Sequence, residues 1–229
     1  MSRCPMPTER LPTGLSALDE LLGGGLDTDA VTEVYGEGGT GKTILCLQVA
    51  VRVAREGRWV VYIDTEGLSV DKLEAMAGPQ LPDVLQYLLI SSPANMAEQT
   101  RAVDTATRLA RDGSRPVGLI VVDSVTMHYR LELGGKEEET ARRELGLQLA
   151  QLVSVALQVP VPVLVTNQVW RKVADGSLEP VGGAFLNHAA KTILRFDRLP
   201  GEWRRAVLMK HRSRPEGSVE FRISEKGLI

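Results

Sequence analysis

The chain has 229 residues, a formal net charge of −2, and 43% hydrophobic residues. These values fit a folded domain that needs no staples, and they exclude a protein that coats nucleic acid by bulk charge. Two cysteines, Cys4 and Cys46, with no CxxC pair exclude a disulfide framework and a zinc site built on cysteine.

The opening MSRCPMPTER lacks the apolar core of a secretory leader, so residues 1–10 read as a flexible tail and a cytoplasmic location is expected. Leu15, Leu18, Leu21 and Leu22 recur at helical spacing until Gly23-Gly24-Gly25 stops them. Val31 to Tyr35 reads as a buried strand, Ile44 to Arg55 as a long helix, and Trp59 to Asp64 as the next strand. A short helix over Ser69 to Ala77, a strand over Leu85 to Ile90 and a helix over Met96 to Asp112 follow. Val117 to Asp123 is a strongly apolar strand, Ala141 to Leu157 a second long helix, and Val161 to Asn167 another strand. The longest apolar runs, such as Gly118 to Val122, are strand-sized and too short to span a bilayer.

Continuously apolar strands alternating with helices predict a parallel sheet covered on both faces. From Thr192 the pattern changes. Short strands over Thr192 to Phe196, Arg205 to Lys210 and Ser218 to Ile223, with turns at Pro200-Gly201 and Pro215-Glu216-Gly217, predict antiparallel strands that extend the sheet. No repeat or linker divides the chain, so one domain is expected over 1–229.

Between the first strand and its helix stands Gly36-Glu37-Gly38-Gly39-Thr40-Gly41-Lys42-Thr43, a full match to GxxxxGK[ST]. Chance gives such a match on the order of once in a hundred chains this long, and the strand–helix context lowers that further. Glycines let backbone N–H groups curl around phosphates, and the next helix points its positive end at them. The pattern assigns Lys42 to the β and γ oxygens of a nucleotide and the Thr43 hydroxyl to Mg²⁺. Leu119-Ile120-Val121-Val122-Asp123 ends four apolar residues in a carboxylate at the edge where parallel sheets bind ligands, which places Asp123 in the magnesium shell through water.

Hydrolysis also needs a group that activates water. Glu66, in the run YIDTEG, reads equally as that carboxylate and as a solvated loop acid. Asn167-Gln168 ends the strand VLVTN, where Gln168 reads as a γ-phosphate sensor or as a turn cap. His128, His188 and His211 lack metal-ligand spacing. Trp59 reads as core, and Trp170 is the only tryptophan placed to stack on a base.

The segments LPTGL, LDELLGGG, AVTEVYGEGGTGKT, YIDTEG, LIVVDSV, VTNQV and PVGG, in this order and over nearly the whole chain, resemble the ATPase core of the RecA/RadA recombinase family. The resemblance implies an α/β fold, a RecA-type P-loop ATPase core with a mostly parallel central sheet flanked by helices and C-terminal antiparallel strands. It implies ATP and Mg²⁺ as cofactors, Glu66 as the catalytic carboxylate and Gln168 as the sensor. The core starts near residue 10 and leaves little room for a helical N-terminal DNA-binding domain or a polymerisation linker. In this it is similar to a shortened archaeal paralogue branch of the family. That likeness implies a helper of the main RecA/RadA-type recombinase that binds DNA, single strands by preference and without sequence readout, and hydrolyses ATP slowly. A monomer or small oligomer is expected.

The family's first DNA loop corresponds to the stretch from Tyr129-Arg130 through Gly134-Gly135-Lys136 to Arg142-Arg143, and the second to Val169 through Glu179. Arg130, Lys136, Arg171 and Lys172 are the phosphate contacts so implied. Arg142 and Arg143 also read as a solvated helix face beside Glu137, Glu138 and Glu139. Between Gln168 and Arg214 ten Lys/Arg stand against four Asp/Glu, a basic patch or chance clustering. Lys210, Arg212 and Arg214 in the C-terminal tail have three readings: trans-acting cations at a neighbour's ATP, DNA contacts, or charges decorating an edge strand. Where recombinases follow YIDTEG with a Phe-Arg-Pro-type run, this chain has Leu68-Ser69-Val70-Asp71-Lys72, and loss of a base-stacking guanidinium predicts weaker or less selective nucleotide binding. Two other readings share these motifs: a KaiC-like signalling or assembly ATPase that ignores DNA, and an active recombinase.

Overall fold

A computed structural model describes residues 9–172 and 177–229. Cys4 and most of the expected tail lie outside the described residues. Arg10, which the sequence placed in that tail, belongs instead to strand β1 (Arg10–Leu11), whose partner is β2 (Leu26–Asp27). Helix α1 (Ser16–Leu22) lies between them and ends at Gly23 in a left-handed conformation.

Strand β3 (Val31–Gly36) feeds α2 (Lys42–Arg55), followed by β4 (Trp59–Asp64) and α3 (Val70–Ala77). Next comes a correction. Leu85 was expected in a strand, but α4 (Leu81–Leu85) takes it and β5 begins only at Leu88 (Leu88–Ser91). Pro82 in the first turn is the cause, since its fixed φ suits a helix start. Helix α5 (Met96–Asp112) opens on Asn95, which accepts from the Glu98 amide at 2.9 Å. Strand β6 (Val117–Asp123), α6 (Met127–Glu132), α7 (Glu138–Gln158) and β7 (Val163–Asn167) complete the central unit. The chain then forms the hairpin β8 (Val169–Arg171) and β9 (Leu178–Pro180), the helix α8 (Gly183–Ala189), and strands β10 (Thr192–Arg198), β11 (Trp203–Lys210), β12 (Gly217–Ser224) and β13 (Gly227–Leu228).

Nine strands make one sheet in the order β13-β12-β11-β10-β3-β7-β6-β4-β5. The strands from β10 to β5 run parallel, and β11, β12 and β13 extend that sheet antiparallel, as the change of pattern at Thr192 predicts. One apolar layer packs α1, α2 and α3 on the first face of the sheet, and a second packs α5 and α7 on the other. Burial on both faces is why β6 is apolar without alternation. Trp59 is only partly buried, at the start of β4, with Arg115 4.3 Å from its ring centroid. Among the described residues no helix is long and apolar enough to cross a membrane.

Candidate functional site

The parallel strands β3, β7, β6 and β4 all end at one edge of the sheet, and the residues singled out from the sequence collect there. The loop 37–41 leaves β3 at Gly36 and enters α2 at Lys42. Gly36 is required by close approach, because a Cβ there would sit 2.2 Å from the Phe196 carbonyl oxygen of β10. Gly41 caps α2 at φ 102, a left-handed conformation that other residues pay for in strain.

Lys42 is buried and lies across the loop, donating from Nζ to the carbonyls of Gly36 at 2.9 Å and Glu37 at 3.0 Å. Burial lowers its pKa below the ordinary lysine range, against the opposing pull of Glu66 and Asp123. Asp123 is also buried. Its carboxylate accepts from the Tyr62 hydroxyl at 2.8 Å, from the Thr166 hydroxyl at 2.5 Å, and from the side chain of Thr43. Burial raises its pKa, and those three hydroxyls lower it again. A desolvated carboxylate in contact with a threonine hydroxyl is a hard-oxygen donor set, which suits a magnesium ion held partly through water.

Asp64, at the end of β4, accepts from three successive amides: Glu66 at 3.2 Å, Gly67 at 2.9 Å and Leu68 at 2.6 Å. This turn fixes the loop that carries Glu66, and its signal in the sequence was the short acid at the strand end of YIDTEG. Thr65 ties the same loop to β6, its hydroxyl donating to the Ser124 carbonyl at 2.9 Å and accepting from the Ser124 amide at 2.8 Å.

Glu66 and Gln168, set apart by 102 residues, meet at 2.6 Å, the Gln168 amide donating to the Glu66 carboxylate. Arg130 of α6 donates to the side-chain oxygen Oε1 of Gln168 at 2.9 Å. Behind them Asn167 donates to Glu33 at 2.8 Å and to the Val181 carbonyl at 2.9 Å, and accepts from Thr126 at 2.6 Å. Glu33 is buried, and desolvation raises its pKa from 4.5 to about 7. A cavity of about 360 Å³ lies in front of this group, lined by Gly38, Lys42, Glu66, Gln168, Arg130 and Arg171. A second, of about 1020 Å³, lies behind it, and Glu33, Tyr129, Arg130, Arg142, Trp170 and Lys210 are among its walls.

The cations assigned to DNA divide. Arg130, Arg171 and Trp170 surround the two cavities; Arg171 pairs with Glu37 of the glycine loop at 2.8 Å, and Trp170 is 55% exposed. Lys136 is exposed in the turn between α6 and α7. Arg142 pairs with Glu138 one turn away at 2.8 Å, in keeping with the helix-face reading. Lys172 pairs with Glu179 across the β8–β9 hairpin, so the expected second loop is partly strand; its residues 173–176 lie outside the described residues.

For the three tail cations the expected alternation along one strand is corrected. Strand β11 ends at Lys210, so Lys210 and Arg212 do not alternate along one strand. Lys210 donates to the carbonyls of Asn187 and Ala190 at the end of α8, at 2.5 and 2.9 Å. Arg212 pairs with Asp27 at 2.9 Å and with Asp29 at 2.5 Å. Arg214 reaches the Leu21 and Glu20 carbonyls at the end of α1, both at 3.3 Å. Each answers a local need, an orphan helix carbonyl or a buried acid. Among the described residues no cluster of His, Cys, Asp and Glu is grouped to hold a metal ion, and His128 and His211 are buried in local contacts with Pro93 and Asp27.

Comparison with known proteins adds the following. The Rad51 family model matches residues 8–229. The "DNA repair and recombination protein RadB" of Methanoculleus marisnigri is 43% identical over 225 residues, which covers 97% of this chain and 99% of the relative. Proteins of the same description from Methanococcoides burtonii and Thermoplasma acidophilum are 40% and 37% identical, each over 222 residues and 96% of this chain, with 97% and 93% of the relatives covered.

Proposed function

This chain belongs to the Rad51 family, in its RadB branch of DNA repair and recombination proteins, and from that membership we propose that it is an ATP-switched DNA-binding accessory of the main recombinase. The observation that carries the reading is the chain of contacts Glu66–Gln168–Arg130, which joins the catalytic edge of the sheet to the first segment assigned to DNA.

In this reading the N–H groups of the loop 37–41 and the start of α2 cradle the β and γ phosphates. Lys42 leaves the Gly36 and Glu37 carbonyls and donates to phosphate oxygens instead, which relieves the cost of a buried ammonium. Thr43 and Asp123 would hold Mg²⁺, and the ion would supply charge neutralisation at the phosphates. Glu66 accepts the proton of the attacking water. Gln168 turns its amide from Glu66 to the γ-phosphate, and because β8 starts at Val169, that turn draws on the hairpin carrying Trp170 and Arg171. Arg130 follows, since its partner is the same side chain. ATP thus acts first as a conformational ligand, with slow hydrolysis as the release step.

The DNA would lie along the opening of the 1020 Å³ cavity, between α6 and the β8–β9 hairpin, with Arg130, Lys136 and Arg171 on its phosphates and Trp170 against a base. Fluorescence anisotropy of a labelled single-stranded oligonucleotide over a salt series, with ATP, with ADP and without nucleotide, tests this. Salt-sensitive binding that tightens with ATP supports the reading. Binding in no state would leave an ATPase core whose partner is a protein.

A further inference from the structure

Besides Arg171, two arginines touch the glycine loop, and both do so at its backbone carbonyls. Strand β10 runs parallel beside β3, with Phe196 level with Gly36, so its last residue, Arg198, arrives next to the loop. Arg198 donates from Nε at 3.1 Å and from Nη2 at 2.5 Å to one acceptor, the Gly38 carbonyl. On the antiparallel neighbour, Arg204 donates from Nε to the Gly39 carbonyl at 3.2 Å.

Two features make this pair unusual. Arg198 and Arg204 stand directly opposite each other in the β10–β11 register, where like charges repel. Among the described residues neither arginine is ion-paired to a carboxylate. Their acceptors are consecutive loop carbonyls, so the repulsion is offset by bonds to the loop.

The loop has a need that such bonds meet. Gly38 and Gly39 are adjacent residues without side chains, and nothing lies within 4 Å of where a Gly38 Cβ would be. Adjacent glycines lose more backbone freedom on ordering than any other pair. A trans peptide points its C=O and its N–H in opposite directions. A guanidinium on the Gly38 carbonyl therefore turns the Gly39 N–H to the other side of the loop, and one on the Gly39 carbonyl does the same for the Thr40 N–H. Those two N–H groups lie mid-loop, where a phosphate cradle needs its donors. Hydrogen bonding at the oxygen also polarises the peptide and strengthens its N–H as a donor.

We propose that Arg198 and Arg204 are positioning residues of the phosphate site, holding the Gly38–Gly39 and Gly39–Thr40 peptides with their N–H groups turned to the nucleotide. The proposal rests on the reading that this loop binds a nucleotide. It makes the C-terminal antiparallel strands part of the nucleotide site, acting through the loop backbone.

The test is a titration of fluorescent ADP, with ATPγS in competition, against the full chain and its Arg198→Ala, Arg204→Ala, Arg198→Lys and Lys42→Ala variants. Loss of a charge-assisted bond pair predicts affinity about 10-fold weaker for Arg198→Ala and about 3-fold weaker for Arg204→Ala. The loss should be equal for ADP and ATPγS, because loop N–H groups serve both. Arg198→Lys should recover only part of it, as an ammonium lacks the two-pronged fork. Because Arg198 is exposed, its nucleotide-free melting temperature should stay within about 2 °C of the parent while the nucleotide-induced rise shrinks. Unchanged affinity in both alanine variants overturns the proposal and leaves the nucleotide reading intact. Loss confined to ATPγS also overturns it, since that marks direct contact with the γ-phosphate. No nucleotide binding by the parent chain, or undiminished binding by Lys42→Ala, sinks the underlying reading as well.

Discussion

The side-chain amide of Gln168 lies 2.6 Å from the carboxylate of Glu66, bridging the ends of β7 and β4 across the intervening strand β6. Glu66 is exposed, and this bond is its tie to β7. The contact orients both side chains, and under the proposed function Gln168 exchanges this acceptor for an incoming phosphate.

Glu66→Gln should keep nucleotide affinity within about 3-fold and slow single-turnover phosphate release by about 100-fold or more, the usual loss of a general base. Gln168→Ala should remove the difference in DNA affinity between the ATP and ADP states. Unchanged turnover in Glu66→Gln takes that residue out of the chemistry.

Asp123 touches Thr43, Tyr62 and Thr166, and under the proposed function it holds Mg²⁺ with Thr43. Asp123→Asn keeps much of that hydrogen-bonded shape and removes the negative charge. The magnesium concentration that supports half-maximal ATP binding should rise by about 10- to 100-fold. An unshifted magnesium titration would place the metal elsewhere.

Arg212 separates a structural cation from a DNA contact. Asp27 is fully buried, so Arg212→Ala strips a partner from a desolvated carboxylate and should destabilise the fold by about 2 kcal/mol, less than a fully buried pair because Arg212 is partly exposed. Its salt dependence of DNA binding should not change. Arg130→Ala and Lys136→Ala should each lower the slope of log affinity against log salt by about 0.7 on single strands. The opposite pattern would restore Arg212 to the DNA surface.

Glu33 gives the stability a pH signature. Its folded pKa is raised to about 7 from 4.5, mainly by burial, so folding favours the protonated form. That contribution is fully present below pH 4.5 and is lost as pH rises through 7. Glu33→Gln cannot ionise and keeps an acceptor for Asn167. The variant should therefore match the parent near pH 4.5 and exceed it by about 3 kcal/mol at pH 8. Denaturant melts at both pH values measure the difference, and a constant gap would mean that Glu33 does not titrate in the folded state.

Most of the architecture was legible because the strands announce themselves. Val117 to Asp123 and Trp59 to Asp64 came out with the expected bounds, since a strand buried on both faces must be apolar throughout. Short elements were missed. Helices α6 and α8, of 6 and 7 residues, are too brief for a periodicity to stand out, and the β8–β9 hairpin hides in a polar segment.

The sequence alone located the glycine loop with Lys42 and Thr43 at the start of α2, and the carboxylate Asp123 at the end of β6. Each depends on a local rule: a glycine where a Cβ would collide, a donor at a helix start, an acid where an apolar strand runs out. Only the tertiary structure decided what the remaining charges do. Arg212 serves Asp27, Lys210 caps α8, and Arg198 and Arg204 brace the glycine loop. The physical reason is that hydrophobic patterning records which positions are buried but not which strands become neighbours. A guanidinium reads the same in sequence whether a phosphate, a carboxylate or a backbone carbonyl awaits it, and the sheet order β10-β3-β7-β6-β4 makes that choice.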